Sequence, residues 1–299
     1  MPFVIDANLD CEARWSGLAL SPAVLTRISM YGLLVSALAP HGEPVEIWTP
    51  AAIDRRRWRG SGMLQHHVGV PVDPALRWAD PNARAANDRR LARTVTALPG
   101  SFVLEHLDNE YAWPPSWVAK AAWSAAGRDR CRGTGAPNTE QRTRLSRLLA
   151  GGVLVVEPWC ERILDLGACA MLDATGAVTA QAPHRVIVDS RGGFLGIDLA
   201  SPVLEPAENA QLAMQVARAG EVLHRVGYAG PFTADAFVHM TPDGRALHVC
   251  EVNARYTFGW IARAFARKSG CTRLGFGSPP ERATILIEDR DDHVTAWIA

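Results

Sequence analysis

The residues best suited to chemistry flank a turn in the last third of the chain. The turn is Thr241-Pro242-Asp243-Gly244-Arg245, and Pro-Asp-Gly is typical of a tight connection between two strands. We predict strands over residues 232–240 and 246–254. A hairpin that is symmetric about the aspartate of the turn places Asp235 directly opposite Glu251.

Two facing carboxylates on paired strands repel each other and destabilise the sheet unless a positive charge neutralises them. Strand alternation places Asn253 on the same face as Glu251, and it also predicts that Phe237 and Val249 form an apolar floor there. Asp, Glu and Asn supply the oxygen ligands that Mg²⁺ prefers, usually together with substrate phosphates. The sequence therefore predicts a magnesium site at Asp235, Glu251 and Asn253. The alternative is a hairpin edge whose charges lie in water.

Lysine is rare in this chain, which makes its positions informative. The 31 basic residues comprise 29 arginines and two lysines, Lys120 and Lys268. Because arginine is the default cation, a lysine is weak evidence that an ammonium is needed at its position; chance is the alternative for either one. Lys120 ends a short apolar strand that begins at Trp117, and the run of small residues that follows predicts a mobile loop over 124–135.

The elements that must position these residues read as a mixture of helices and strands. The N-terminal part predicts a strand at Phe3–Ile5, a helix near Val24–Leu38 and a strand at Val45–Trp48. Residues 51–80 are irregular and rich in Arg, Pro and Gly, and we interpret them as loops. An Arg-rich helix over about 88–97 follows.

The second half of the chain is rich in strands. Residues 153–158 form an uninterrupted apolar run, which predicts a strand buried on both faces. Two hairpins follow, and residues 205–226 predict an amphipathic helix. We place a subdomain boundary at Gly151-Gly152. The predicted units are residues 1–85, 86–150 and 151–299, and the predicted fold class is α/β.

Composition excludes several classes of protein. The chain has 299 residues with 31 basic and 31 acidic side chains, and a neutral protein is a poor candidate for a nucleic-acid or anionic-membrane partner. Its longest uncharged apolar run, residues 28–42, is too short to span a bilayer. The first residues lack the positive segment of a signal peptide, and the six cysteines show no metal-ligand spacing. We therefore expect a cytoplasmic protein with reduced thiols.

Four motifs in order resemble the ATP-grasp superfamily of carboxylate–amine ligases over roughly residues 85–265. They are Lys120 with its small-residue loop, the buried strand that ends near Glu157, the stretch Gly227-Tyr228-Ala229-Gly230-Pro231-Phe232 with Asp235, and the E-x-N-x-R sequence Glu251-Val252-Asn253-Ala254-Arg255. The resemblance implies an α+β ATP-grasp architecture in which two subdomains clasp ATP. The first 85 residues match nothing specific, but they have the size of the small α/β domain that precedes this fold.

The resemblance also implies a role for each matching residue. Lys120 would contact the α- and β-phosphates of ATP and act in catalysis, and Arg89 stands where relatives carry a second phosphate-binding lysine. The loop that contains Ser124 and Gly127 would cover the phosphates. Glu157, with the backbone of Val156, Pro158 and Trp159, would read adenine, and Asp165 would contact the ribose. Asp235, Glu251 and Asn253 would hold Mg²⁺, and Arg255 would stabilise the acyl phosphate.

The expected function is that of an ATP- and Mg²⁺-dependent ligase. It would activate a carboxylate as an acyl phosphate and couple it to an amine, with small molecules or peptides as substrates. The alternatives are carboxylate phosphorylation, ligation to a thiol, or a nucleotide-binding module without catalysis. The sequence does not identify the substrates, and it leaves open whether His184 and Arg185 contact them. The apolar segment 24–38 suggests a homodimer.

Overall fold

The computed structural model describes most of the chain. The described residues are 1–107, 110–123, 130–190, 192–200, 204–288 and 295–299. Ser124 and Gly127, two of the predicted nucleotide-binding residues, lie outside them. None of the described helices is long and apolar enough to cross a membrane.

The N-terminal unit is a four-stranded parallel sheet with strand order β3-β2-β1-β4. Its strands are β1 (Phe3–Asp6), β2 (Val45–Thr49), β3 (Leu64–Val68) and β4 (Leu76–Arg77). Its helices are α1 (Cys11–Ser16) and α2 (Pro22–Gly32), which a 3₁₀ segment (Leu33–Leu38) extends.

One sequence-based expectation for this unit is wrong, and the basis of another is removed. Residues 51–80, interpreted as loops, contain β3 and β4; β4 has two residues and β3 buries only Leu64, so neither strand shows the alternation that predicts one. Helix α1 was not predicted. In the apolar segment 24–38, Met30, Leu33 and Leu34 are buried within the chain, so this segment no longer argues for a homodimer.

A second, antiparallel sheet of four strands has the order β5-β8-β6-β7. Its strands are β5 (Phe102–Leu104), β6 (Ser116–Ala121), β7 (Arg130–Thr134) and β8 (Leu154–Pro158). Helix α4 (Thr139–Leu149) packs against it, and Asn138 begins α4 with a capping box. Helix α3 (Arg89–Val95) precedes this sheet in the chain but packs in the second core described below.

This sheet corrects the predicted boundary at residue 150. Strand β8 lies between β5 and β6, so residues on both sides of that boundary share one hydrogen-bonded sheet. The smaller unit therefore extends to Pro158. Strand β7 also occupies the second half of the predicted loop 124–135.

The third sheet has nine strands and carries most of the candidate site. Its strands are β9 (Arg162–Leu172), β10 (Val178–Ala180), β11 (His184–Val188), β12 (Phe194–Asp198), β13 (Gly230–Thr241), β14 (Gly244–Asn253), β15 (Arg273–Phe276), β16 (Thr284–Ile287) and β17 (Ala296–Ile298). The order is β14-β13-β9-β11-β12-β15-β17-β16, and β10 pairs with β9. Helices α5 (Pro206–Arg225) and α6 (Phe258–Ser269) complete the described elements.

Packing joins the N-terminal sheet to the last strands of the chain. One apolar core contains residues of β1 and β2 together with residues of α6, β15, β16 and β17. A second core lies between α5 and the strands β9, β13 and β14, and a third lies inside the small sheet. The second core fixes the hairpin β13–β14, whose other face is discussed below.

The small sheet should tolerate no side chain at Gly133. A Cβ there would lie 2.1 Å from the ring of Trp117, which is fully buried. We expect Gly133→Ala to lower the free energy of unfolding by about 1–3 kcal/mol through overpacking. Urea unfolding measures the change, and Gly151→Ala is the control, because its nearest atom would be 3.4 Å away. Equal stabilities of the two variants would contradict this packing.

Candidate functional site

The hairpin β13–β14 brings Asp235 opposite Glu251, as the sequence predicts. The predicted register is nevertheless wrong by one residue near the turn, where Phe237 faces His248 and not Val249. A β-bulge at residue 250 adds one residue to β14 and restores the predicted pairing beyond it. Thr233 then pairs with Asn253, and the three predicted metal ligands lie together.

The same face continues across the next two strands. Asp235 pairs with Gly167 of β9, and Gly167 pairs with His184 of β11. A Cβ at Gly167 would lie 2.6 Å from His184 Nε2 and 3.4 Å from Asp235 Oδ1, so glycine leaves room for the imidazole beside the carboxylate. Arg185 pairs with the core residue Leu166 and lies on the opposite, exposed side. Of the two residues left open by the sequence, His184 is on the site face.

The imidazole of His184 is enclosed by protein. It is 1% exposed, and a Cβ at Gly259 of α6 would lie 2.5 Å from its Cε1 atom. Burial, together with the nearby charge of Arg263, lowers the pKa of His184 to about 3. The ring is therefore neutral at physiological pH.

Glu251 receives its counter-charge from the protein. Arg89 Nη2 donates to Glu251 Oε1 at 2.9 Å, and Arg89 Nη1 donates to the carbonyl of Ala121 at 2.7 Å. Burial raises the pKa of Glu251, but the positive charges of Arg89 and Lys120 outweigh it and hold that pKa below its ordinary value. Glu251 is ionised at neutral pH.

This ion pair changes the predicted role of Arg89. Its side chain is 7% exposed and bonded to Glu251, whereas a phosphate ligand must be open to the cleft. Helix α3 begins at Arg89 and places this side chain beside the hairpin. In this arrangement Arg89 holds a carboxylate, and its contact with a phosphate stays a prediction.

At Asp235 the effects that raise the pKa outweigh those that lower it. Burial, followed by the negative charge of Glu251, raises its pKa to about 7, although Arg255 and a hydrogen bond from Asn253 act against the rise. Asn253 Nδ2 donates to Asp235 Oδ2 at 2.8 Å. Two neighbouring carboxyl groups therefore differ in protonation near neutral pH.

A chain of hydrogen bonds leads from Asp235 to the N-terminal unit. Arg255 Nη2 donates to Asn253 Oδ1 at 3.0 Å, and Arg255 Nε donates to Glu12 Oε1 at 3.1 Å. Burial acts to lower the pKa of Arg255, but the charge of Glu12 outweighs this effect and raises it. Sequence reasoning missed Glu12, although α1 follows the carboxyl end of a parallel strand, where ligands of α/β proteins bind.

The donor set fits a magnesium ion that is shared with phosphates. Asp235 Oδ1 and Glu251 Oε2 have no hydrogen-bond partner among the described residues, so each can offer one oxygen. Asn253 Oδ1 already accepts from Arg255. The described residues contain no group of three or more His, Cys, Asp or Glu side chains placed to hold a metal alone. One or two carboxylates plus phosphate oxygens are the usual environment of Mg²⁺.

The small sheet faces this site with a buried ion pair. Lys120 Nζ lies 2.6 Å from Glu157 Oε2, and His248 Nε2 lies 3.7 Å from Glu157 Oε1. Burial raises the pKa of Glu157, but Lys120 and His248 outweigh it and lower the pKa to about 2. His248 was not predicted, because the symmetric register placed Val249 opposite Phe237.

The residues predicted to contact adenine differ in whether their backbone groups are already hydrogen-bonded. Val156 pairs with Phe102 on one side and Ala119 on the other, and the backbone N–H of Trp159 donates to the carbonyl of Ser116 at 2.9 Å. Neither group is free for a base. Strand β5 ends opposite Val156, so Glu157 is the first residue of β8 without a described strand neighbour on that side.

Asp165 also has an unpredicted partner. Arg162 Nη1 donates to Asp165 Oδ1 at 2.6 Å, and the guanidinium of Arg162 lies 4.2 Å from the centre of the Phe237 ring. Asp165 pairs with Phe237, so it lies on the face of Asp235, one alternation further along. It is positioned beside the site and already carries a charge partner.

Comparison with known proteins adds the fold. Neither protein-family models nor curated protein sequences give a match. Among solved structures, the biotin carboxylase domain of Hydrogenobacter thermophilus 2-oxoglutarate carboxylase, solved with MgADP and bicarbonate, has a TM-score of 0.57 and 11% identity over 99% of this chain and 85% of its own. Biotin carboxylase of Campylobacter jejuni has a TM-score of 0.57 and 9% identity, over 99% of this chain and 86% of its own. Phosphoribosylamine–glycine ligase of Thermotoga maritima has a TM-score of 0.55 and 12% identity, over 100% of this chain and 90% of its own.

All three are ATP-grasp enzymes. The chain has the ATP-grasp fold. The fold class expected from the sequence is confirmed, and the match extends over the N-terminal unit, for which the sequence offered only an argument from size. At 9–12% identity the likeness concerns the fold and assigns no role to a residue.

The two carboxyl groups should respond to substitution with opposite signs. The pKa of Asp235 is raised, so the stability that depends on its proton is present at about pH 4 and lost as the pH rises through 7. Without metal, Asp235→Asn should match the parent at about pH 4 and exceed it at pH 8 by about 4 kcal/mol, because the pKa shift is about three units and each unit corresponds to about 1.4 kcal/mol. Melting curves between about pH 4 and 8 in chelator provide the test.

Glu251→Gln is the matched control for this measurement. The lowered pKa of Glu251 means that its contribution is present above about pH 4.5 and lost at lower pH. Removing its charge leaves Arg89 buried without an anion, so this variant should be less stable than the parent at pH 8. If Asp235→Asn is destabilised at pH 8 as strongly as Glu251→Gln, the two environments are not as described.

Proposed function

We propose that this protein is an ATP-dependent ligase, which activates a carboxylate as an acyl phosphate and couples it to an amine. One observation carries the proposal: the Lys120–Glu157 ion pair of the small sheet lies beside His248 of β14, the strand that also carries Glu251. The small sheet thus brings a cation near the strand that carries Glu251, and cations beside a carboxylate pair are the charge pattern that a magnesium–triphosphate needs. The ATP-grasp fold and the MgADP complex of a structural neighbour support it.

The residues take the following roles in this proposal. Asp235 and Glu251 would hold Mg²⁺, with Asn253 as a third ligand if its amide turned, and the ion would supply positive charge for the transferring phosphoryl group. Lys120 would exchange Glu157 for a phosphate oxygen as ATP enters, and Glu157 would offer its open backbone edge to adenine.

Arg255 acts at the carboxylate end. Its guanidinium is held by Glu12 and Asn253, so it is oriented before a substrate arrives. A preorganised donor stabilises the charge that develops on the acyl phosphate without reorganisation during the reaction. Glu12 is a positioning residue in this scheme, because it acts through Arg255.

The proposal also covers the units of the chain, the class of substrate and the cellular location. Residues 1–85 form the preceding α/β unit, and the other two units clasp the nucleotide. The substrates are small molecules or peptides that carry a carboxylate and an amine. All six cysteines are free thiols, which is compatible with the cytoplasmic location that we propose.

Lys120 allows a direct test of nucleotide binding. Removing its ammonium alone would leave the buried Glu157 anion poorly paired, so we pair Lys120→Met with Glu157→Gln, which keeps the site neutral. We expect at least a tenfold weaker affinity for Mg²⁺-ATP with a folded protein, measured by calorimetry and circular dichroism. Tenfold corresponds to about 1.4 kcal/mol, the loss of about one charge-assisted hydrogen bond.

The chain offers a matched control and a test of the reaction. Lys268 is the other lysine and donates to the carbonyl of Ala39, so Lys268→Met should bind Mg²⁺-ATP as the parent does. Release of ADP that depends on both a carboxylate and an amine indicates ligation, whereas release without an amine indicates phosphorylation. Unchanged ATP affinity in the paired Lys120 variant would sink the assignment of the cleft.

A further inference from the structure

A cavity of about 170 Å³ lies beside Arg255, between the N-terminal unit and the start of β13. It is lined by Arg77, Trp78, Asp80, Tyr228, Ala229, Pro231 and Arg255. Arg255 leads through Asn253 to Asp235, so the cavity is two hydrogen bonds away from the carboxylate pair. A molecule bound there would lie next to the proposed site of phosphoryl transfer.

One end of the cavity suits an anion. Arg77 lies 3.7 Å from Asp6, its side chain is 40% exposed, and its guanidinium makes no hydrogen bond to any described residue. Arg255 uses four of its five N–H groups, on Glu12, Asn253 and the carbonyl of Tyr256. Two guanidinium groups with unused donors favour a carboxylate.

The rim of the cavity suits a cation. Asp80 Oδ1 accepts from the backbone N–H of Asn82, and Oδ2 has no hydrogen-bond partner among the described residues. The phenol of Tyr228 lies near both charges. Burial and then Asp80 raise its pKa, whereas Arg255 acts to lower it. Asp80 and Arg255 therefore flank the same space with opposite charges.

The size and the walls limit what fits between these charges. At about 30 Å³ per water, the cavity holds about five or six waters, which suits a molecule of about six to nine non-hydrogen atoms. Trp78 and Tyr228 are buried and, with Pro231, supply an apolar wall.

We propose that this cavity binds a free amino acid, with its carboxylate on Arg77 and Arg255 and its ammonium on Asp80. The inference rests on the proposed function, and it names the carboxylate that is activated. An oxygen of the amino-acid carboxylate attacks the γ-phosphorus, the bond from that phosphorus to the bridging oxygen breaks, and ADP leaves. The amine of the second substrate then attacks the acyl carbon, phosphate departs with the bonding pair, and the nitrogen gives up a proton to solvent.

Binding of ligands without turnover tests the cavity. The probes are the common L-amino acids, measured by calorimetry without nucleotide and again with Mg²⁺ and a non-hydrolysable ATP analogue. For the amino acid that binds most tightly, we compare the acid that lacks the amine and the amide that lacks the carboxylate. We expect each to bind at least tenfold more weakly, because each loses one charged contact.

Two variants separate the ends of the cavity. Asp80→Asn should weaken binding of the amino acid at least fivefold and leave the affinity for the deaminated acid unchanged. Arg77→Gln should weaken the binding of both ligands. Asp243→Asn and Arg218→Gln, two exposed positions away from the cavity, are the matched controls and should bind as the parent does. Equal affinity for the amino acid and the deaminated acid, or no effect of Asp80→Asn, would overturn the proposal.

The same titrations distinguish failure of this proposal from failure of the proposed function. If the ATP analogue binds with Mg²⁺ but no amino acid binds in either condition, the cavity assignment is wrong and the ATP site stands. If an amino acid binds with the expected dependence on Asp80 while the analogue does not bind, the cavity assignment stands and the ligase function is wrong.

Discussion

Asp235 and Glu251 face each other on adjacent buried strands, and the rest of the site consists of what makes this pair tolerable. Like charges placed directly opposite on a sheet destabilise it. The fold responds from two directions, with Arg89 of α3 on Glu251 and the chain of Asn253, Arg255 and Glu12 on the other side. Elements that are far apart in sequence therefore supply counter-charges to one hairpin.

The two responses are unequal, and the inequality is chemically useful. Glu251 has a full cation beside it and stays ionised, whereas Asp235 receives only an amide hydrogen bond and a more distant guanidinium, so its pKa rises to about 7. A divalent cation that enters between them would supply the charge that Asp235 lacks and displace its proton. The carboxylate pair is thus partly neutralised by the protein itself, which limits the cost of keeping it in the protein without a metal ion.

The sequence predicts the centre of the site better than its surroundings. Pro-Asp-Gly identified the hairpin, and Asp235 was correctly placed opposite Glu251 even though the register near the turn was off by one, because the bulge at residue 250 compensates. No local pattern encodes such a bulge, and the same error hid His248. Glu12 was missed because it is a surface-like charge in a short helix, and Arg162 because it is a surface-like charge at the start of a strand; only the tertiary fold brings each to the site. The roles that the resemblance implies for Arg89 and Trp159 stay predictions, and in this structure the protein itself binds the Arg89 guanidinium and the Trp159 backbone N–H.

A structure of the protein with ADP and Mn²⁺ in place of Mg²⁺ tests the central claim most directly, because the anomalous signal of manganese locates the ion independently of the model. The account predicts one strong peak in contact with carboxylate oxygens of both Asp235 and Glu251, bridged to the phosphates, with Lys120 turned from Glu157 toward the nucleotide. A nucleotide bound in the cleft with its metal ion away from both carboxylates, or a metal ion at this hairpin without the nucleotide in the cleft, would contradict it.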